Sequence, residues 1–144
     1  MTEPARNSDY AELTRAFREK LGLMEYRLRQ VALDPILIEG YRTPERQNWL
    51  WMSGRQRVGP VVTKLDGYKR RSLHQFRAAA DYWFKRDGRI FCTPDFANEW
   101  KELRACAEAV GLVSGASWAQ FPDLDHVQMP GIDTQGTIPD KEEA

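Results

Sequence analysis

The chain has 144 residues with 21 basic and 21 acidic side chains and a pI near 6.7, a size that fits one domain with a single buried core. Zero formal net charge gives no global attraction to nucleic acid or an anionic membrane, and the polar start, Met1 to Asn7, contains no apolar leader and precedes no membrane-spanning run. Cys92 and Cys106 lack zinc-finger or CxxC spacing and read as small buried hydrophobes.

Leu13, Phe17, Leu21, Met24, Leu28 and Val31 recur at helical spacing, which predicts an amphipathic helix from an N-cap at Ser8 to about Ala32, with a break near Gly22. Asp34-Pro35 ends it, and Ile36-Leu37-Ile38 reads as a short buried strand leading into Gly40-Tyr41-Arg42. Thr43 can cap a second helix with Pro44 in its first turn, running to about Met52. Residues 53–71 hold glycines, Pro60 and six basic side chains (Arg55, Arg57, Lys64, Lys69, Arg70, Arg71) with little periodicity, so a long loop is predicted. Those cations form either a solvated face or a phosphate-binding patch.

Arg77 to Phe84 reads as a central strand, turned by Lys85-Arg86-Asp87-Gly88 into a hairpin with Ile90-Phe91-Cys92. A third helix starts at Thr93 or Asp95 and shows one face of Phe96, Trp100, Leu103, Ala107 and Val110 before Gly111 stops it. Leu112 to Ala116 is a turn, His126 to Met129 a last strand, and the residues after Pro130 a loosely ordered tail. The resulting expectation is an α+β domain over residues 1–130, with helices packed on a small, mostly antiparallel sheet, and a tail over 131–144.

The chain's two histidines, His74 and His126, each lie near acidic residues. Asp81 sits between Ala78-Ala79-Ala80 and Tyr82-Trp83-Phe84, so its carboxylate enters an apolar setting and needs a cation or donors to compensate it. A divalent metal bound by imidazole and carboxylate meets that need. On one helix His74 and Asp81 would stand roughly 10 Å apart along the axis, and in a flat strand an odd offset sends them to opposite faces. His74 therefore belongs on an approach loop, Asp81 in the strand, and His126 arrives from far along the chain as a third ligand.

Ser72, His74, Ala79 and Asp81 resemble the SxHxxGxAxD signature of the zinc D-alanyl-D-alanine carboxypeptidases and L-alanyl-D-glutamate endopeptidases that cut peptidoglycan stem peptides. Asp123 to His126 resembles their second signature, Gly40 to Gln47 their GYR(S/T)xxxQ segment, and Trp118 to Phe121 their WxxF approach. These landmarks run from about Ile36 to Met129; the departure is Arg77, where the family has Gly, which would put a guanidinium near the site or redirect the backbone.

The resemblance implies a DD-peptidase/hedgehog-like fold and Zn2+ held by His74, Asp81 and His126, polarising the scissile carbonyl and activating a water. It implies Asp123 as general base, with adjacent Asp125 as the rival expected to face away, and Arg42 as a substrate contact that stabilises charge on the attacked carbonyl. Ser72, Gln47 and Trp118 are further candidates for substrate binding or support of the site. A monomeric wall enzyme without a leader implies a phage or prophage endolysin made in the cytoplasm and released through a lesion opened by another protein. The chain contains neither an SxxK nucleophile motif nor HExxH. A non-hydrolysing module on the same fold and a nucleic-acid binder using the basic loop are the competing readings.

Overall fold

The computed structural model describes residues 2–91 and 97–142. Five strands form one antiparallel sheet: β1 (Pro35–Glu39), β2 (Ala79–Arg86), β3 (Arg89–Phe91), β4 (Val113–Ser114) and β5 (His126–Gln128), in the order β1-β2-β5-β4 with β3 paired to the far end of β2. Helices α1 (Arg15–Gln30) and α3 (Ala97–Ala109) pack on it, and α2 (Pro44–Met52) follows β1. This is the expected α+β class.

Alternation along β2 divides core from site. Ala80, Tyr82 and Phe84 are buried against Phe17, Leu21, Met24 and Leu28 of α1 and Trp100, Leu103 and Ala107 of α3, so Asp81, one residue out of step, faces the opposite side. Val127 of β5 joins the core, which turns His126 and Gln128 to the same side as Asp81. In β1 the pairing slips between Leu37↔Tyr82 and Glu39↔Asp81. That extra residue is a β-bulge, which re-aims Glu39 from the core face to the Asp81 face. Glu39, Asp81 and His126 thus stand side by side across three strands.

Several elements depart from the sequence expectation. The predicted helix from Ser8 is two pieces: Asp9 caps a 3-10 turn at Tyr10–Glu12, the chain straightens at Leu13, and α1 begins only after Thr14. Gly22 lies inside α1 without breaking it. Leu112 to Ala116, expected as a turn, contributes β4 and the start of a 3-10 turn at Gly115–Ser117. The α3 cap expected at Thr93 or Asp95, its Phe96, and Cys92 fall outside the described residues. Thr43 does cap α2, its Oγ1 accepting from Arg46 N at 3.1 Å. The hairpin turn places Asp87 and Gly88 both at positive φ, the backbone a two-residue type I′ connection requires.

Arg77 does not begin the strand as predicted. Ala78 N donates to Leu73 O and Arg77 N to His74 O, with Arg77 at φ 61°. This is a Schellman closure with Arg77 at the left-handed position that usually belongs to glycine, the physical reason for a Gly in the family signature. Nor does its guanidinium project into the site. It stacks on Tyr41 at 4.0 Å and donates to Glu12 Oε2 and O and to Pro139 O.

Arg71 likewise donates to Thr134 O and Gly136 O, and Glu142 accepts from Arg15 N. Within residues 131–142, expected to be loosely ordered, Thr134, Gly136, Pro139 and Glu142 are therefore tied to the N-terminal segment and the turn that carries His74. Arg77→Gly relieves a left-handed strain of about 1–2 kcal/mol while removing these contacts. The expected result is a stability change under about 1 kcal/mol with faster proteolysis within residues 131–142; unchanged proteolysis would show that Arg77 does not hold the tail.

Candidate metal centre and catalytic site

His74 lies in the turn before β2 and is buried, with its ring fixed by one short bond, Nδ1 to Gly40 O at 2.7 Å. A carbonyl can only accept, so Nδ1 carries the hydrogen and Nε2 presents a lone pair. That lone pair faces Asp81 Oδ1 at 3.5 Å. His126 repeats the arrangement: Nε2 meets Gln128 Oε1 at 2.7 Å, and Nδ1 faces the same Asp81 Oδ1 at 3.2 Å. With Nε2 donating to the glutamine oxygen, a second lone pair turns to the carboxylate. Ligand atoms of His74, Asp81 and His126 all lie within 4.8 Å of one another.

Three acceptors converging on one point repel each other unless a positive charge lies between them, so the donor set fits a divalent cation. The outward bonds to Gly40 O and Gln128 Oε1 are the second layer that fixes tautomer and ring orientation in histidine metal sites. The field agrees. Burial resists ionisation of Asp81, yet the two imidazoles hold its carboxyl well below the usual range. Burial opposes charging His126 too, but Asp81 raises its proton affinity overall. His74, fully enclosed, has its basicity lowered first by burial and then by the Arg42 guanidinium, which keeps its Nε2 lone pair free of protons.

Arg42 approaches from the other side. Its Nη2 donates to Glu39 Oε1 at 2.9 Å and to Asp81 Oδ2 at 3.2 Å, and its Nη1 to Gln47 Oε1 at 3.1 Å. Its backbone N donates to His74 O, coupling the strand-to-helix turn to the turn that carries His74. Gln47 and Ser72 spend their polar atoms inside the protein. Gln47 is wholly buried, its Oε1 on Arg42 and its Nε2 donating to Leu65 O. Ser72 is buried with its Oγ accepting from His74 N at 3.2 Å. Of the two roles considered for them, substrate binding or support of the site, these contacts are those of support: Gln47 positions Arg42 and Ser72 positions His74.

Trp118 is partly exposed, with its ring 5.1 Å from that of His126, and forms one wall of the site. Asp123 is exposed, and its carboxylate joins those of Asp81 and Asp125 in a second cluster spanning no more than 4.8 Å. Asp125 does not face away as expected. Its Oδ2 accepts from Trp83 Nε1 at 3.2 Å, and burial, followed by the charges of Asp81 and Asp123, pushes its carboxyl up to about 9. Of the pair, Asp125 is the anchored, half-buried partner and Asp123 the one open to solvent.

Sequence reasoning passed over Glu39, Gln128 and Gly115. At Gly115 a Cβ would lie 2.3 Å from Asp123 O and 3.1 Å from His126 Cβ, and its O accepts from Asp123 N. Only glycine lets the Asp123–His126 bend close against the 3-10 turn.

No protein-family model matches the chain. Over 104 residues it is 29% identical to the peptidoglycan L-alanyl-D-glutamate endopeptidase CwlK of Bacillus subtilis (strain 168), an alignment covering 67% of this chain and 61% of that protein. The chain thus spans about three fifths of that relative's length. The crystal structure of the Serratia marcescens L-Ala D-Glu endopeptidase ChiX superposes with a TM-score of 0.60 at 20% identity, covering 87% of this chain and 90% of that one, and shows a shared fold. One relative by sequence and another by fold agree: the chain resembles the D-alanyl-D-alanine carboxypeptidase and L-alanyl-D-glutamate endopeptidase family, as its ordered landmarks imply.

Proposed function

We propose that this protein is a zinc-dependent peptidase of peptidoglycan stem peptides that cleaves the L-alanyl–D-glutamyl bond. The observation that carries the reading is the convergence of the His74 Nε2, His126 Nδ1 and Asp81 Oδ1 acceptors on one point beside an exposed carboxylate. The endopeptidase choice, rather than carboxypeptidase, is supported by the activities named for CwlK and ChiX. Among the described residues no helix is long and apolar enough to cross a membrane.

His74, Asp81 and His126 would hold the ion, which when bound supplies Lewis acidity to the scissile carbonyl and the attacking water. Asp123, exposed at the rim, accepts the proton of that water on its carboxylate and returns it to the departing nitrogen. Asp125, anchored on Trp83 beside it, has its carboxyl pushed up by burial and then by the neighbouring charge of Asp81, which leaves the solvent-facing Asp123 as the base. Arg42 keeps a cation beside Asp81, held by Glu39 and Gln47, where it counters negative charge growing on the carbonyl oxygen. Trp118 excludes water from the His126 side.

Metal analysis of the purified protein and mass spectrometry of fragments from one defined muropeptide test this directly. The expected result is about one zinc per chain and cleavage between L-alanine and D-glutamate that a chelator stops and added zinc restores. Chelator-insensitive cleavage would reject the metal; absence of cleavage across several wall chemotypes would reject the peptidase.

A further inference from the structure

Two loops meet at the rim of the site. One carries Trp118, against His126, and runs through Phe121 to Asp123. The other, residues 63–65, is pinned through Leu65 O to Gln47, the residue that holds Arg42 beside Asp81. They touch where the Lys64 ammonium lies 5.2 Å from the centre of the Phe121 ring. From Asp81 the contacts therefore run through Arg42, Gln47 and the 63–65 loop to Lys64 and Phe121, the chain leads from Phe121 back to Trp118, and Trp118 lies against His126, which returns to Asp81.

Lys64 differs from the other cations along this path. Arg42 and its neighbour Arg46 are already paired with buried carboxylates, whereas Lys64, among the described residues, has an aromatic face and no carboxylate within ion-pair distance. Phe121 is 77% exposed and sits at φ 52°, a conformation that is a genuine outlier for a bulky residue and that persists at functional sites when something is gained by it. Here the strained backbone presents a ring for the ammonium two residues from the base. A cation on an aromatic face keeps its charge available to an anion.

Which anion follows from the proposed reaction, on which this inference rests. The D-glutamyl residue of a stem peptide linked onward through its side-chain carboxyl has a free α-carboxylate, two bonds from the departing nitrogen. We propose that Lys64 is a specificity-determining residue that receives this α-carboxylate, and that the enzyme therefore favours the free acid over the α-amide.

The test uses two synthetic stem peptides differing only in that group, with the wild type, Lys64→Met, which keeps the apolar stem, and Lys64→Arg, which keeps the charge. The wild type is expected to cleave the free acid with about tenfold higher kcat/KM, mostly through KM. Lys64→Met is expected to lose that preference, its kcat/KM on the free acid falling to that on the amide, chiefly through KM, and Lys64→Arg to retain it. Selectivity persisting in Lys64→Met, or an equal loss on both peptides, overturns the lysine assignment alone. No cleavage of either peptide by the wild type overturns the underlying reaction and this inference with it.

Discussion

His126→Ala is expected to remove zinc and peptidase activity together, whereas Asp123→Ala is expected to keep the zinc and lose turnover by about 10²- to 10⁴-fold. Among the described residues His126 supplies one of the three converging donors, and its Nδ1 lies 3.2 Å from the shared Asp81 oxygen. Without it the ion keeps two protein ligands, one short of the three that catalytic zinc sites use. Asp123 lies outside the donor set and makes no bond to either histidine ring; its backbone O accepts from His126 N, and its N donates to Gly115 O, both of which alanine preserves. Zinc content and kcat measured on the same preparations decide the matter. Full activity in Asp123→Ala would transfer the base role to Asp125, and a full equivalent of zinc in His126→Ala would dissolve the three-donor site.

The gathering of His74, Asp81 and His126 could be read from sequence because each has a local reason to stand out: a carboxylate inside an apolar strand, and histidines in a chain that has only two. Thr43-Pro44 was equally legible, since capping chemistry is local. What stayed hidden depends on pairing. The bulge that swings Glu39 onto the site face exists only once β1 is registered against β2; from sequence alone Glu39 is one more polar residue at a strand end. For Gln47 and Ser72 the sequence leaves substrate binding and support of the site side by side, and only their partners, Arg42 and the backbone of His74, show the supporting contacts.

Strand β4 is two residues long and held by β5, too short to give a period. Arg77 misled for a different reason. Its side chain favours an ordinary backbone, and tertiary contacts to Glu12, Tyr41 and Pro139 hold it where glycine is usual. Three of the loop cations, Arg55, Arg57 and Arg71, turn back to carbonyls of the chain itself, so the basic composition of residues 53–71 overstated the charge free to meet a polyanion.

Glu39→Gln is expected to be the most destabilising conservative substitution in the site, by about 3–5 kcal/mol, a fall in Tm on the order of 10 °C for a domain of this size. Glu39 is buried and bonds two guanidiniums at once, the partly buried Arg42 through Nη2 and the buried Arg46 through Nε, each at 2.9 Å. An amide keeps the shape but removes the charge and turns one acceptor into a donor facing a donor. The pH dependence has a definite sign. Burial pushes the Glu39 carboxyl up, but Arg42 and Arg46 overcome it and bring it below the ordinary value of 4.5. A group lowered on folding contributes stability that is complete above its unfolded value and is lost as pH falls through its folded value. The gap in Tm between wild type and Glu39→Gln should therefore be constant from neutral pH down to about 5 and narrow below 4.5. Asp81, whose carboxyl is also lowered, is present in both proteins, so comparing them isolates the Glu39 contribution. Two Tm curves that stay parallel into acid would mean that Glu39 is not the charge that balances Arg42 and Arg46.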